Sequence, residues 1–351
     1  MSKSNENFLI TKLKDVIEEL KTQVNDFNFI HCKKEFNHFL YFHKQNIVKV
    51  IPELKTKLKE LFQLSCYSGI QIIGDSAVFS DEAHQFLLEK LAKLKTFKGL
   101  IFYGFTGEGA NGIVTDLIEK EIVLTEKVIA NIVANESLKV IEKFQCRYSE
   151  KIQNFFIVDD GKGGCQFGDD INLSDSLASQ LICLEGGVIS FGQILNTLML
   201  HEQPQITMYT GLRNKDNANL ERSLFSASEL FLTLKQAIHD NSLKNYDQFE
   251  KILNDYLKMH RLNPLNNHQN EFKQKQIQVY FDQFKQLTEE TQGKIINKIK
   301  AIKVINYLEE CSSKKANQGN LLQASLTQLF ITPKEFGSRS EFIPCESLKV
   351  H

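Results

Sequence analysis

Three clusters of glycine and small polar residues stand directly after short apolar runs, and these are the residues whose spacing could do chemistry. The first is Ile73-Gly74-Asp75-Ser76-Ala77. The second runs Tyr103-Gly104-Phe105-Thr106-Gly107-Glu108-Gly109-Ala110-Asn111-Gly112. The third is Leu184-Glu185-Gly186-Gly187-Val188-Ile189-Ser190-Phe191-Gly192. Each leads into a helical pattern. A glycine-rich turn between strand and helix lets backbone N–H groups approach a phosphate, and the helix N-terminus adds partial positive charge. The candidate ligand-binding residues are therefore Gly74, Asp75 and Ser76, then Gly104, Thr106, Gly107, Gly109, Asn111 and Gly112, and finally Gly186, Gly187 and Ser190. One such cluster would serve equally as a tight turn. Three at strand ends in one region point to a shared crevice.

The elements that must position these turns can be read from the apolar pattern. Across residues 67–215 the short apolar runs are Ile70–Ile73, Leu100–Tyr103, Val128–Val133, Phe155–Val158, Leu181–Leu184 and Ile206–Tyr209. Helical patterns lie between most of them. Strands alternating with helices imply βαβ units and a parallel sheet. A run without polar alternation, such as Leu181-Ile182-Cys183-Leu184, fits a sheet covered on both faces. The expected fold class is α/β, a Rossmann-like, doubly wound, mostly parallel sheet flanked by N- and C-terminal helical segments. Ligands in such sheets bind outside the carboxyl ends of the strands.

The flanks carry helical periodicity. In residues 1–66, Leu9, Leu13, Ile17, Leu20 and Val24 form one stripe, and Ile47, Val50, Ile51, Leu54, Leu58, Leu61 and Phe62 a second. The segment 1–66 reads as helical throughout. Residues 216–351 give four more stripes: Ala227 to Ile238, Phe249 to Leu257, Ile277 to Leu287, and Ile295, Ile299, Ile302 and Ile305. The expected division is a helical segment 1–66, a Rossmann-like domain 67–215 and a helical region 216–351. Broad apolar stripes imply that the flanks pack on the centre.

The central motifs resemble the LOG-like family of Rossmannoid proteins, also called lysine-decarboxylase-like or SLOG and named for the "lonely guy" cytokinin-activating enzymes. Ile72-Ile73-Gly74-Asp75-Ser76 resembles the family's Gly-Ser-Ser-like first turn, and Gly104 to Gly112 its glycine-rich second loop. Glu185 to Gln193 resembles Pro-Gly-Gly-x-Gly-Thr-x-x-Glu, with Glu185, Ile189, Ser190 and Gln193 at the positions of Pro, the third Gly, Thr and Glu. The resemblance covers about 145 residues and neither flank. It implies binding of a nucleotide or nucleotide derivative in the crevice, without a further cofactor. In the family the Glu works with an Arg to cleave the N-glycosidic bond of a nucleoside monophosphate. A glutamine cannot accept a proton or stabilise an oxocarbenium ion as a carboxylate does. The central arginines, Arg147 and Arg213, match no family motif. Binding or sensing is thus the expectation, with hydrolysis open only if another acid serves; Gln193, Glu185 and Glu108 are the catalytic candidates. The alternative is an interaction or effector-type scaffold that works through its helical flanks, as a homodimer or on a protein partner, and keeps the crevice as a relic.

Other chemistries fit less well. Gly107-Glu108-Gly109-Ala110-Asn111-Gly112 has the dinucleotide spacing, yet about 20 residues on only Asn131 and Asn135 stand where a ribose-binding acid would. Asp159-Asp160-Gly161-Lys162-Gly163-Gly164 is loosely like the GHKL adenine box but lacks its companion motifs in order. It reads as an acidic turn, with Lys162 a candidate phosphate contact at the crevice rim. There is no Gly-Lys-Ser/Thr and no Gly-x-Ser-x-Gly. His31, Cys32, His38 and His43 do not share one helical face, so no metal site is expected. The seven cysteines form no Cys-x-x-Cys pair and read as reduced thiols. With 351 residues, 42% of them hydrophobic and 24% charged, the chain is rich enough in apolar residues for a core, and a net charge of −1 gives no pull toward nucleic acid. No apolar run is long enough for a membrane span or a cleaved signal, which leaves a cytoplasmic expectation.

Overall fold

A computed structural model describes residues 6–23, 29–76, 79–105, 108–144, 148–162, 165, 170–212, 225–259 and 277–313. The chain divides into one unit ending at Tyr307 and a second from Leu308 to His351. In the second, residues 308–313 are helical. The first holds a nine-stranded sheet: β1 (Ile30–Lys34), β2 (Asn37–His43), β3 (Gly69–Gly74), β4 (Leu100–Gly104), β5 (Val128–Val133), β6 (Asn154–Asp159), β7 (Gln180–Leu184), β8 (Gln205–Thr210) and β9 (Lys303–Asn306). Its order is β1-β2-β6-β5-β4-β3-β7-β8-β9. Every pairing is parallel except β1 with β2.

All six apolar runs of the centre are strands, and they build a doubly wound sheet. The chain winds outward from β3 through β4 and β5 to β6, then returns to place β7 and β8 on the other side of β3. The winding reverses between β3 and β7, which is the switch point of the sheet. Side chains alternate across it. Ile70 and Ile72 of β3 enter one core, with α1 (Glu6–Lys21), α3 (Asp81–Leu91), α4 (Gly109–Glu119) and α5 (Ala134–Phe144). Ile73 enters the other. There α2 (Ile47–Leu61) and α6 (Ile171–Leu177) cover one part. The rest is covered by α7 (Val188–Leu200), α8 (Ala227–His239), α9 (Tyr246–Met259), the described part of α10 (277–285) and α11 (Glu289–Ala301). Helix starts follow capping chemistry: Ser80, Ser226 and Thr288 accept from the backbone N–H three residues on, at 3.2, 3.2 and 3.3 Å. No helix among the described residues is long and apolar enough to cross a membrane.

The sheet draws strands from all three segments of the chain, and two stretches differ from expectation. The segment 1–66 is not helical throughout. Residues 30–43 form a hairpin, so His31, Cys32, His38 and His43 lie on strands. The run Phe39-Leu40-Tyr41-Phe42 is buried along β6, where Phe39 meets Phe155 and Phe42 meets Phe156, each with ring centroids 5.3 Å apart. Aromatic residues favour strands, and this burial against β6 holds the run in the sheet. Near the other end, α11 stops at Ala301. Ile302 follows the helix, and Ile305 lies on β9, paired with Tyr209 of β8. Val24 of the first stripe lies outside the described residues.

Candidate ligand-binding crevice

The glycine turns follow β3, β4 and β7, which are side by side in the order β4-β3-β7 and point the same way. Their carboxyl ends therefore meet at one edge of the sheet, next to the switch point. The turns are stitched together by backbone. The Asp75 N–H donates to the Leu184 carbonyl at 3.0 Å, and the Ala110 N–H donates to the Asp75 carbonyl at 2.8 Å. Ser190 Oγ reaches the Gly74 carbonyl at 3.4 Å. So Gly74 and Asp75, the start of α4 and Ser190 of α7 pack together, with Gly74 and Asp75 half-buried and Gly109, Ala110 and Ser190 buried. Ser76 is exposed beside them. Thr106 and Gly107 fall outside the described residues, as do Gly163, Gly164, Arg147 and Arg213.

Each glycine has its own physical reason. A Cβ on Gly74 would overlap the Leu184 carbonyl oxygen and come 2.9 Å from Ala110 Cβ. Gly104 touches the Asn111 side chain, whose Nδ2 would lie 2.9 Å from an added Cβ. Gly109 and Gly186 have φ of 55° and 91°, a region that disfavours side chains. Gly187 differs: its φ is −98°, and among the described residues nothing lies within 4 Å of where a Cβ would stand. Gly187 is the N-cap of α7, which starts at Val188. Phe191 is the first residue seen to donate back into the helix, to the Gly187 carbonyl at 3.0 Å. The amides of Val188, Ile189 and Ser190 thus lie ahead of the helical ladder, where an anion is favoured. Those of Phe191 and Gly192 belong to the helix. Gly192 serves packing instead, since an added Cβ there would overlap the Tyr280 ring.

The three catalytic candidates are separated by their environments. Glu185 is buried, with φ of 64°. Its Oε1 accepts from the Leu212 N–H at 2.8 Å and its Oε2 from Ser226 Oγ at 3.1 Å. Its carbonyl accepts from Ser228 Oγ at 2.5 Å. These bonds join the end of β7 to the end of β8 and the start of α8, a structural role. Glu108 is the exposed residue before α4, and its carbonyl accepts from the Asn111 and Gly112 N–H groups. Gln193 is half-buried in α7, and its carbonyl accepts from Thr197 Oγ1 at 2.8 Å.

Two further polar groups stand out: one adds Cys165 to the acidic turn after β6, and the other no sequence pattern marks. Asp159, Asp160 and Cys165 place potential metal-ligand atoms within 4.8 Å of one another. Asp159 is already engaged, however: Oδ2 accepts from Tyr41 Oη at 2.6 Å, and Oδ1 from the N–H groups of Asp160 and Gly161 at 2.7 and 3.1 Å. Lys162 lies in this same turn, its N–H donating to Asp160 Oδ1 at 2.9 Å. The second group is the buried set Gln71, Asp175 and Asn196 beneath the crevice. Its members lie far apart in the sequence, with no motif to announce them.

No protein-family model matches this chain, and no curated protein matches it significantly.

Proposed function

We propose that the chain binds a nucleotide or nucleotide derivative by its phosphate, in the crevice between the turns after β4, β3 and β7. One observation carries this reading: three glycine turns end three laterally adjacent parallel strands at the switch point, where the first-turn amides of α7 stand behind the uncapped Gly187. The resemblance of these turns to LOG-like motifs supports a nucleotide as the ligand. Gln193 at the position of the family's Glu, and the structural engagement of Glu185, favour binding or sensing over efficient N-glycoside cleavage.

Calorimetric titration and thermal shift with purine and pyrimidine mono-, di- and triphosphates test this. A ligand at 100 times its Kd raises stability by about 2.7 kcal/mol. Gly187→Ala is the matched variant, because its backbone angle suits any L residue and the added methyl meets open space. We expect it to fold as the parent does and to bind at least about tenfold more weakly, about 1.4 kcal/mol. A folded variant that binds every ligand as the parent does would remove the crevice from consideration.

A further inference from the structure

Asp175 is wholly buried on α6, against β3 and α7. Asn196 Nδ2 donates to its Oδ2 at 3.0 Å, and the Gln71 amide of β3 lies beside the same carboxyl. Two atoms of this pair nevertheless have no partner among the described residues, Asp175 Oδ1 and Gln71 Oε1, and both are shut off from water. Buried acceptors left unpaired are costly. Here both sit on neighbouring side chains, and both are acceptors while Asp175 is ionised. A single proton on Oδ1 changes this. A carboxylic acid and a primary amide can join through two bonds in a ring, amide N–H to one carboxyl oxygen and acid O–H to the amide oxygen. We propose that Asp175 is carried as the neutral acid and forms this cyclic acid–amide pair with Gln71, a proton-held clamp that fastens α6 to β3 beneath the crevice.

The surroundings agree. Among the described residues no cation hydrogen-bonds to the carboxyl. Gln71 faces it from β3 and Asn196 from α7, Tyr280 of α10 lies near, and Asp170 is on its own side. His201, at the end of α7, uses Nε2 on the Asp175 backbone carbonyl at 2.6 Å, not on the carboxylate, and has Lys55 of α2 in its own surroundings. Lys298 of α11 donates to the carbonyls of Leu198 and His201 at 2.9 and 2.7 Å. Burial pushes the Asp175 carboxyl well above the usual range, and the Asp170 charge pushes the same way, against the amide bonds of Asn196 and Gln71. Gln71 lies three residues before Gly74, and Asn196 is on the helix that Gly187 caps, so the proton secures the floor of the crevice. This inference does not depend on the ligand reading.

Asp175→Asn is the discriminating variant. An amide pairs with Gln71 through the same ring, N–H to oxygen in both directions, and has no proton to lose. Chemical denaturation of both proteins across the pH range, each referred to the other, isolates this one group. Because the acid's folded pKa is raised, its contribution is complete below the unfolded value of about 3.9 and is lost as pH rises toward the folded value. The folding constant of Asp175→Asn relative to the parent should therefore climb about tenfold per pH unit through that window, then level off. The infrared difference spectrum, parent minus variant at neutral pH, should show the C=O stretch of a protonated carboxylic acid, shifted in D2O. A pH-independent ratio, or a carboxylate band in place of the acid band, overturns the proposal.

Discussion

The main-chain N–H of Asp75 donates to the carbonyl oxygen of Leu184 at 3.0 Å, tying together the two strand ends that flank the switch point. That closeness requires the residue before Asp75 to lack a side chain. A methyl on Gly74 would overlap the same Leu184 oxygen and press on Ala110 at 2.9 Å. Gly74→Ala should force β3 away from β7 and cost about 1–3 kcal/mol of stability, the usual range for overpacking. The contrast with Gly187→Ala, whose methyl meets nothing, is the measurement. A thermal melt should separate the two, and equal melting temperatures would mean that the β3–β7 junction yields without strain.

Glu185 should prove structural when its carboxylate is removed. The Leu212 N–H and the Ser226 hydroxyl both point at it from buried positions. Orphaning a buried donor costs about 1–3 kcal/mol, so Glu185→Ala should lose about 3 kcal/mol or more in urea denaturation. Glu185→Gln keeps the shape and one carbonyl acceptor for Leu212, and Ser226 Oγ can receive the amide N–H. Its loss should be about 1 kcal/mol. If Glu185 were a catalytic acid instead, both variants would keep parental stability and lose turnover alike.

Gly192 and Tyr280 form a coupled pair. The ring of Tyr280 occupies the space that a side chain at position 192 would take. Gly192→Ala should displace the ring and destabilise by about 1–3 kcal/mol. With Tyr280→Ala already in place the same change should cost far less, a coupling of at least about 0.5 kcal/mol. Additive losses in the double-mutant cycle would disconnect the two residues.

What could be read in the sequence was what local chemistry marks. β3 to β8 were legible because each is a short apolar run closed by turn residues, and the three glycine turns because glycine punctuates strand ends. β1 and β2 were not. Their two-residue turn is Glu35-Phe36, with Glu35 at φ of 54°, and carries none of the Asn-Gly or Gly-Gly signal that marks hairpins. β9 was hidden because Ile299, Ile302 and Ile305 continue a helical spacing across the real end of α11, with no glycine or proline between. The turns themselves were legible, but the reason for Gly192 was not, because its need for a missing side chain comes from Tyr280, distant in the chain. Gln71 and Asp175 were invisible for the same reason, since only the sheet and α6 bring them together.

The hairpin carries a last prediction, on pH. His31 Nε2 and His38 Nδ1 face each other at 3.0 Å, with ring centroids 5.3 Å apart, so the rings meet edge to edge through one hydrogen bond. That bond needs one N–H and one lone pair; doubly protonated, the pair would present two N–H groups to each other. Burial lowers the pKa of both rings. For His31 the neighbouring His38, Lys57 of α2 and Lys33 act in the same direction, and for His38 Lys33 does. The folded values thus lie below the unfolded value of about 6.5. Stability from this pair is therefore present above about pH 6.5 and is lost as pH falls from there through the lowered folded values. The parent should melt lower at about pH 5.5 than at about pH 7.5. His38→Gln, which can still hydrogen-bond to His31 but does not titrate, should show a smaller drop. His201, also lowered by burial, titrates in both proteins and cancels in the comparison. Parallel melting curves for the two proteins across this range would show that the hairpin tolerates a doubly charged pair and that the hydrogen bond contributes nothing measurable to its register.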